Sequence, residues 1–558
     1  MVDNVYILET YADQPAVDDD GTGIDWIVIT GTYPAQFGYW GAKLYMFYDN
    51  PLQTTGWYYT FAGGITTTHW AIFNGQIENA QGGGGAESIH GGSIANLIYG
   101  DPLDVAGSTD ALYGNAGADT LIGAGGSDFL YGGLDNDLLF GDSDPFAQDQ
   151  GYFVQGDDTV HGDNGNDTIY GGWGANVLTG DEGYDTVDYS GFYDDFGNTT
   201  YRIVAYLEAG TVVVYARDTF SGTEVVAATD SVTGFEVIHG TSGADLIQGR
   251  YSFAPGEVQG NVIYGGAGND QLTGSNGVDA LFGGAGVDHL DDYDNNIPGT
   301  TGVDLLNGGT EDDYYFVRRS TTIIIETATG GFDRVTANVS FTLAANVEAL
   351  LISPFAGAAN GTGNAGDNFF EGNAFANELS GLGGNDYAMG FDGNDTLRGG
   401  TGTDSLYGGT ENDQLLGGSQ SDVLYGGAGL DLLYGGSEND QLYGGSQSDL
   451  LQGGLGRDVL RGGSGADSFY FAFAAETSGR NQRDLIEDFT TGQDHIDLHR
   501  VAKNQVFIGN AAFHNIAKEV RYDAATGILS GDIDGNGAAD YVINLGAGTV
   551  LVGGDLIL

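Results

Sequence analysis

The sequence predicts an all-β chain made of right-handed parallel β-roll blocks, with an N-terminal β-module, β-hairpin insertions and a C-terminal β cap. Three observations predict it. An Asp or Asn falls on every ninth position from Asn368 to Asp467, twelve times without a slip. Glycine, 99 of 558 residues, surrounds those positions in variants of Gly-Gly-x-Gly-x-Asp-x-Leu-x, such as Gly426-Gly427-Ala428-Gly429-Leu430-Asp431-Leu432-Leu433-Tyr434. Proline is scarce, with 8 residues, which indicates regular turn-rich β structure rather than a low-complexity coil.

Each part of the nonapeptide has a physical purpose. The glycines admit left-handed turn conformations, and the carboxylate at the sixth position is the hard oxygen ligand that calcium prefers. The following three residues form a short strand, so two nonapeptides make one full coil and acids two repeats apart share an edge. The eighth positions, Phe370, Leu379, Ala388, Leu397, Leu406, Leu415, Leu424, Leu433, Leu442, Leu451, Leu460 and Phe469, point inward as the core, because side chains alternate across a strand. This repeat resembles the calcium-binding nonapeptide of the RTX proteins, which implies several structural calcium ions held between coils.

The candidate calcium ligands follow the register. A first block carries Asp119, Asp128, Asp137, Asp158, Asp167 and Asp185, with Asn176 in series and a loop over 142–156. A second carries Asp245, Asp270, Asp279, Asp288, Asp304 and Asp313, with Asn261 in series and an excursion over 250–259. The third runs through Asn368, Asn377, Asp386, Asp395, Asp404, Asp413, Asp422, Asp431, Asp440, Asp449, Asp458 and Asp467. Within it, Gly408–Tyr434 and Gly435–Arg461 match along their whole length, one and a half coils, the mark of a duplication. Glu411, Gln420, Glu438 and Gln447 replace the fourth-position glycine, where a Cβ is strained at positive φ. Calcium at these turns is expected to bind more weakly or with different ligands.

Composition bounds the function. With 78 acids against 16 bases the net charge is −62, so the metal-free chain repels itself and calcium is expected to act as the folding switch. If each coil pair of the third block clamps one ion, about ten ions bring about +20 of compensating charge. Such a field excludes nucleic acid as a partner. Cysteine is absent, so no disulfide framework exists. Met1-Val2-Asp3-Asn4-Val5 has neither a basic segment nor a long apolar core, and no apolar run is long enough to cross a bilayer; neither a Sec signal nor a membrane span is expected.

The segments between the blocks differ in texture. Residues 1–95 hold four of the five tryptophans, Trp26, Trp40, Trp57 and Trp70, and read as a β-module whose rings either fill a small core or form a platform for a glycan or partner. Roll block 1 spans 96–190, a β-hairpin insertion 191–235, block 2 236–313, a β bridge 314–360, block 3 361–467 and the cap 468–558. The hairpin is signalled by Tyr201–Leu207 and Thr211–Tyr215 joined through Glu208-Ala209-Gly210, and is expected to protrude from the roll. The bridge is expected to keep the rolls continuous. Tyr407, Tyr425 and Tyr443 lie two repeats apart on one outward face with Tyr434 opposite, an aromatic ladder that reads as a sugar platform, an intermolecular contact or rings shielding one another.

The C-terminal stretch, with Ser468-Phe469-Tyr470-Phe471, Arg483–Phe489, Gly492–Leu498 and Gly531–Tyr541, resembles the C-terminal domain of the serralysin-type metalloproteases. Its last residues, Asp555-Leu556-Ile557-Leu558, are an acid followed by three apolar residues, similar to the terminal signal of proteins exported by type I secretion. The resemblance implies export from a Gram-negative bacterium and folding outside, where calcium is plentiful. Asp532, Asp534, Asn536 and Asp540 fit positions 1, 3, 5 and 9 of a calcium loop, but Ile543 stands where an EF-hand has Glu.

The catalytic half of the resemblance is missing. No histidine begins His-Glu-x-x-His, and no Gly-x-Ser-x-Gly elbow occurs. His495 and His499 flank a strand-like Ile496-Asp497-Leu498, where positions i and i+4 lie about 13 Å apart. The chain is therefore read as a non-enzymatic, secreted, calcium-dependent structural protein of the cell exterior, of surface-layer or extracellular-sheet type, self-associating into a sheet or fibre. Two alternatives stay open. One is an adhesin that binds cell-surface polysaccharide, and the other is a secreted hydrolase with an unrecognised site.

Overall fold

The structure is a computed structural model. It describes residues 6–9, 26–31, 42–46, 68–72, 79–81, 86–101, 109–142, 156–192, 199–219, 221–250, 259–293, 302–477 and 483–558. The chain divides into two compact units, residues 1–309 and 310–558. Among the described residues the regular structure is strand, apart from two single 3₁₀ turns at Ala474–Thr477 and Gly553–Asp555.

In the second unit the coil is easiest to follow. Strands of one sheet stack in parallel register at steps of two nonapeptides, Leu406 beside Leu424, Leu442 and Leu460. The opposite sheet stacks Leu415, Leu433, Leu451 and Phe469 in the same way. Consecutive strands lie in different sheets, so each strand crosses to the other sheet and the chain returns parallel after two turns. All twelve eighth positions from Phe370 to Phe469 are buried, and all but Ala388 have no solvent exposure. Packed between two sheets, each such leucine stabilises the coil by ~1.5–3 kcal/mol relative to exposure.

The first unit repeats this plan with more interruptions. Ala111 pairs with Phe129 at the regular step, whereas Phe129 pairs with Thr159 at a longer one, because the loop over 142–156 is spliced into that coil. Parallel stacking already begins with Thr68 beside Ala86, ahead of the boundary expected at 95. Before it, Tyr6–Glu9, Ala42–Met46 and Trp26–Gly31 form an antiparallel group that joins the roll through Trp26 beside Asn79. Trp26 and Trp70 lie on strands; Trp40 and Trp57 lie outside the described residues, as do most of the loop over 142–156 and of the excursion over 250–259.

The hairpin insertion does not protrude. Thr199–Tyr206 and Thr211–Asp218 pair antiparallel as expected, and Glu224–Thr233 adds a third antiparallel strand. The two outer strands are sewn into the roll: Leu178 pairs in parallel with Val232, and Ala205 with Ile247. Their inward residues, Ile203, Ala205, Val212, Val214 and Val232, are buried, so alternating apolar residues that read as an appendage continue the core.

In the second unit, the bridge stacks as expected but with altered coil lengths. Tyr314 pairs with Arg334, Arg334 with Ala349 and Ala349 with Phe369, so successive coils are longer, shorter and again longer than two nonapeptides. The regular step resumes with Phe369 beside Tyr387.

Replacing Leu424 by Ala is expected to cost about 2–5 kcal/mol of unfolding free energy in saturating calcium, as for other buried leucines. Tyr425→Ala, on the solvent face of the same strand, is expected to cost well under half as much. Denaturant unfolding at fixed calcium measures both, and equal losses would contradict the inward core.

Candidate metal centres

Each turn acid uses its two carboxylate oxygens differently. One oxygen accepts the backbone N–H of the acid one coil earlier. In the long block these bonds run Asn368 to Asp386, Asp404, Asp422, Asp440 and Asp458 along one edge, and Asn377 to Asp395, Asp413, Asp431, Asp449 and Asp467 along the other. They measure 2.7–3.0 Å, for example 2.9 Å from Asp404 N to Asp422 Oδ1. The first unit has the same columns: Asp119, Asp137, Asp167 and Asp185 on one edge, Asp128, Asp158 and Asn176 on the other. Asp270 donates to Asp288, Asn261 to Asp279, Asp279 to Asp304 and, in the second unit, Asp313 to Asp333.

The second oxygen is the informative one. Oδ2 is buried without a protein hydrogen-bond donor in Asp119, Asp137, Asp158, Asp167, Asp185 and Asp270, and in every sequence-assigned acid from Asp386 to Asp467. It faces a cradle of oxygens. A Cβ placed on Gly408 would sit 2.4 Å from Asp413 Oδ2 and 2.7 Å from the Gly426 carbonyl oxygen, and Gly426 stands in the same relation to Asp431 and Gly444. A carboxylate oxygen and peptide carbonyls converging on a space closed to any side chain are the donor set a calcium ion takes.

In the nonapeptide turns an open oxygen goes with a left-handed residue four before the acid. Before Asp413, Asp422 and Asp431 this residue is Gly409, Gly418 or Gly427, at φ of 122°, 118° and 112°. Leu382 before Asp386 and Phe391 before Asp395 take φ of 76° and 77° despite their side chains. At Thr241 and Ser275, which are not left-handed, the N–H caps the acid instead. Thr241 N and Oγ1 donate to Asp245 Oδ2, and Ser275 N and Oγ to Asp279 Oδ2, with both N–H bonds at 2.6 Å. Asn364 and Asn373 cap Asn368 and Asn377 in the same way. Asp245 and Asp279, expected as ligands, thus have both oxygens occupied by protein donors.

Glu411, Gln420, Glu438 and Gln447 adopt the left-handed backbone of the glycine they replace, at φ of 72–78°. Glu411 offsets part of that strain by accepting the Gly393 N–H of the neighbouring coil at 2.6 Å. The acids of these turns, Asp413, Asp422, Asp440 and Asp449, keep an open Oδ2.

Sequence reading missed the ends of the columns. Asp458 N donates to Asp484 and Asp467 N to Asp494, beyond the regular spacing. Asp110 bonds Asp128, and Asp230 accepts Asn176 N across the insertion. All four carry the available signal, an acid followed two residues later by a buried apolar side chain: Ile486, Ile496, Leu112 and Val232. Asp230 Oδ2 is taken by the buried Tyr189 hydroxyl at 2.8 Å, so a phenol stands where other turns leave space.

In the cap, Asp532, Asp534 and Asp540 bring carboxylate oxygens within 4.8 Å of one another. Their loop also satisfies them from within: Gly535 N and Gly537 N donate to Asp532, Ile533 N to Asp540, and Asn536 N and Nδ2 to Asp534. His499 Nδ1 lies 2.6 Å from Asp497 Oδ1. The tyrosine ladder forms, with ring centroids 4.8 Å apart for Tyr407–Tyr425 and 4.7 Å for Tyr425–Tyr443, while Tyr434 sits in the other sheet. A second ladder, not foreseen, stacks His90, Tyr113, Tyr131 and His161 in the first unit.

Coiled parallel sheets edged by buried carboxylates define a calcium-binding β-roll. The comparisons agree: the profile described as RTX calcium-binding nonapeptide repeat (4 copies) matches residues 81–102, 107–144 and 154–187. The profile described as peptidase M10 serralysin C terminal matches residues 239–558, more than half of the chain, and the chain belongs to that family. These matches make it a secreted calcium-binding protein of Gram-negative type, carrying a terminal domain that fits type I secretion. No curated protein matches the chain. Among the described residues no helix is long and apolar enough to cross a membrane.

Burial pushes the open carboxylates up, to about 8 for Asp137, Asp270, Asp413 and Asp440 and to about 9 for Asp484, and neighbouring acids add to the effect. In the metal-free fold these groups hold protons that the unfolded chain has released above about pH 4. Stability of the metal-free roll is therefore greatest at low pH and lost as pH rises through about 8. Calcium replaces those protons, so its binding releases them and tightens as pH rises. Circular dichroism of chelator-treated protein is expected to gain β signal between about pH 8 and about pH 6, while the calcium midpoint moves to higher concentration. A calcium midpoint independent of pH would contradict this.

Proposed function

We propose that the chain is a non-enzymatic structural protein of the cell exterior, of surface-layer or extracellular-sheet type, folded by calcium and assembled in its presence. The observation that supports it is the extent of the roll: columns of stacked acids run from Asp110 to Asp304 in the first unit and from Asp313 to Asp494 in the second. The coils form a scaffold throughout, and the insertion at 199–233 continues it. Assembly is read from the remaining acidic surface, which calcium can bridge between chains, and from exposed apolar side chains such as Leu382, Phe391, Leu430 and Leu455 at the turns of the long block.

Export before folding fits the same reading. Leu556–Ile557 pairs in parallel with Ile496–Asp497, and Asp555 accepts N–H bonds from Gly492 and Val552. The segment whose sequence fits a secretion signal is a strand once folded, so the export machinery would read it in the calcium-poor unfolded chain.

A second reading, adhesion to polysaccharide, is favoured by the stacked rings. Tyr113 and Tyr131 line a shallow groove with Leu134, Asp163 and Asn164, an aromatic face beside hydrogen-bonding groups of the kind that holds a sugar ring. Tyr131→Ala is expected to abolish any binding found in a glycan screen; retained binding would remove this groove from consideration.

Imaging purified protein with calcium removed and restored tests the main reading. Sheets or fibres that form with calcium and dissolve with chelator are expected. Monodisperse monomers at every calcium concentration would overturn assembly.

A further inference from the structure

The bridge in the second unit lacks the nonapeptide yet holds a compact acidic centre. Asp313, Glu326 and Asp333 bring carboxylate oxygens within 4.8 Å of one another. Asp313 and Asp333 are fully buried and Glu326 is 9% exposed. Asp333 Oδ1 accepts the Asp313 N–H at 2.9 Å, whereas Asp333 Oδ2 is buried without a protein donor. Glu326 is held in place by the Tyr315 hydroxyl on Oε1 and the Thr327 N–H on Oε2, and the Asn346 side chain donates to its carbonyl.

Glycine again marks a space. A Cβ on Gly330 would lie 2.5 Å from Glu326 Oε2, 3.1 Å from the Thr327 carbonyl oxygen and 3.2 Å from Asp333 Oδ2. Three oxygens from three residues thus converge on a point that no side chain fills. The neighbouring charges that act most on Asp333 are those of Glu326, Glu348 and Asp312, all of its own sign. Three carboxylates brought this close repel one another, and a cation among them offsets that repulsion.

We propose that Asp313, Glu326 and Asp333 hold a calcium ion of their own, with a glutamate from the bridge loop completing a site that the repeat register does not supply. An all-oxygen set with two or more carboxylates suits calcium, and the irregular spacing disfavours magnesium, which demands a tight octahedron. The glutamate has no counterpart in the nonapeptide. Glu326 stands seven residues before Asp333, and Thr329, not a left-handed glycine, occupies the place four before it. The ion would fasten the loop 325–333 to the turn at Asp313, where the coil becomes longer than two nonapeptides.

Native mass spectrometry of the calcium-saturated full-length chain tests this by counting ions. Glu326→Gln keeps shape and removes charge; Gly330→Ala keeps every charge and puts a methyl group into the space. Each variant is expected to carry one calcium fewer than the parent. A parental count in both would overturn the site. Loss in Gly330→Ala alone would overturn the role of Glu326, and loss in Glu326→Gln alone would overturn the position of the ion. If Glu326→Gln does not fold, Gly330→Ala still decides, and a parental count in it overturns the proposal. A site filled equally by magnesium would overturn the calcium assignment.

Discussion

Everything in this fold depends on a carboxylate that is half satisfied. One oxygen of each turn acid accepts a backbone N–H from the coil before it, which sets register and holds edges together. In the open turns the other faces a glycine carbonyl with no donor. A buried ionised carboxylate without a partner is strongly unfavourable, and neighbours one coil away carry the same charge. The columns are therefore incompatible with the metal-free ionised state, and a divalent cation between coils converts their mutual repulsion into attraction. Since the only core of the long block is one layer of leucines between two narrow sheets, little else is available to offset the charge.

In the nonapeptide turns, backbone handedness goes with whether that oxygen stays open. Gly409 and Leu382 both take positive φ four residues before an acid, and both leave it without a donor. For Leu382 and Phe391 the left-handed conformation costs about 1–2 kcal/mol each, so the coil and its ligands must hold them there. Thr241 and Ser275 do not take that conformation, and their N–H and hydroxyl groups cap Asp245 and Asp279 from within. Tyr189 reaches the same end by a different route, with its hydroxyl on Asp230. The roll thus contains both turns with an open carboxylate oxygen and turns completed by protein donors.

This explains what the sequence made legible. The nonapeptide fixes strand, turn and core positions because each depends on residues within one repeat of one another, as the burial of Phe370 through Phe469 bears out. Roll membership of Thr199–Thr233 was not legible, since antiparallel pairing within the segment is a local signal while Val232 beside Leu178 is a contact between positions several repeats apart. Asp484 and Asp494 were missed for a related reason: chain inserted between coils breaks the count of nine but not the spatial column. Glu326 carries no repeat signal at all, and only the folded bridge brings it to Asp333.

The same electrostatics bears on how the roll forms. A chain of net charge −62 resists compaction in low calcium. In that state, adding calcium stabilises coils in proportion to the number of ions each new coil clamps, and each clamped coil presents an ordered half-site to the next. Growth of the roll is then cooperative along its axis, as in other stacked repeats. Self-capped turns change that sequence of events. Asp245 and Asp279 in the first unit, and Asn368 and Asn377 at the start of the long block, have donors of their own and need no ion before their coil closes. They are the coils that can order first, and from Asn368 and Asn377 both columns of the long block run without interruption to Asp458 and Asp467.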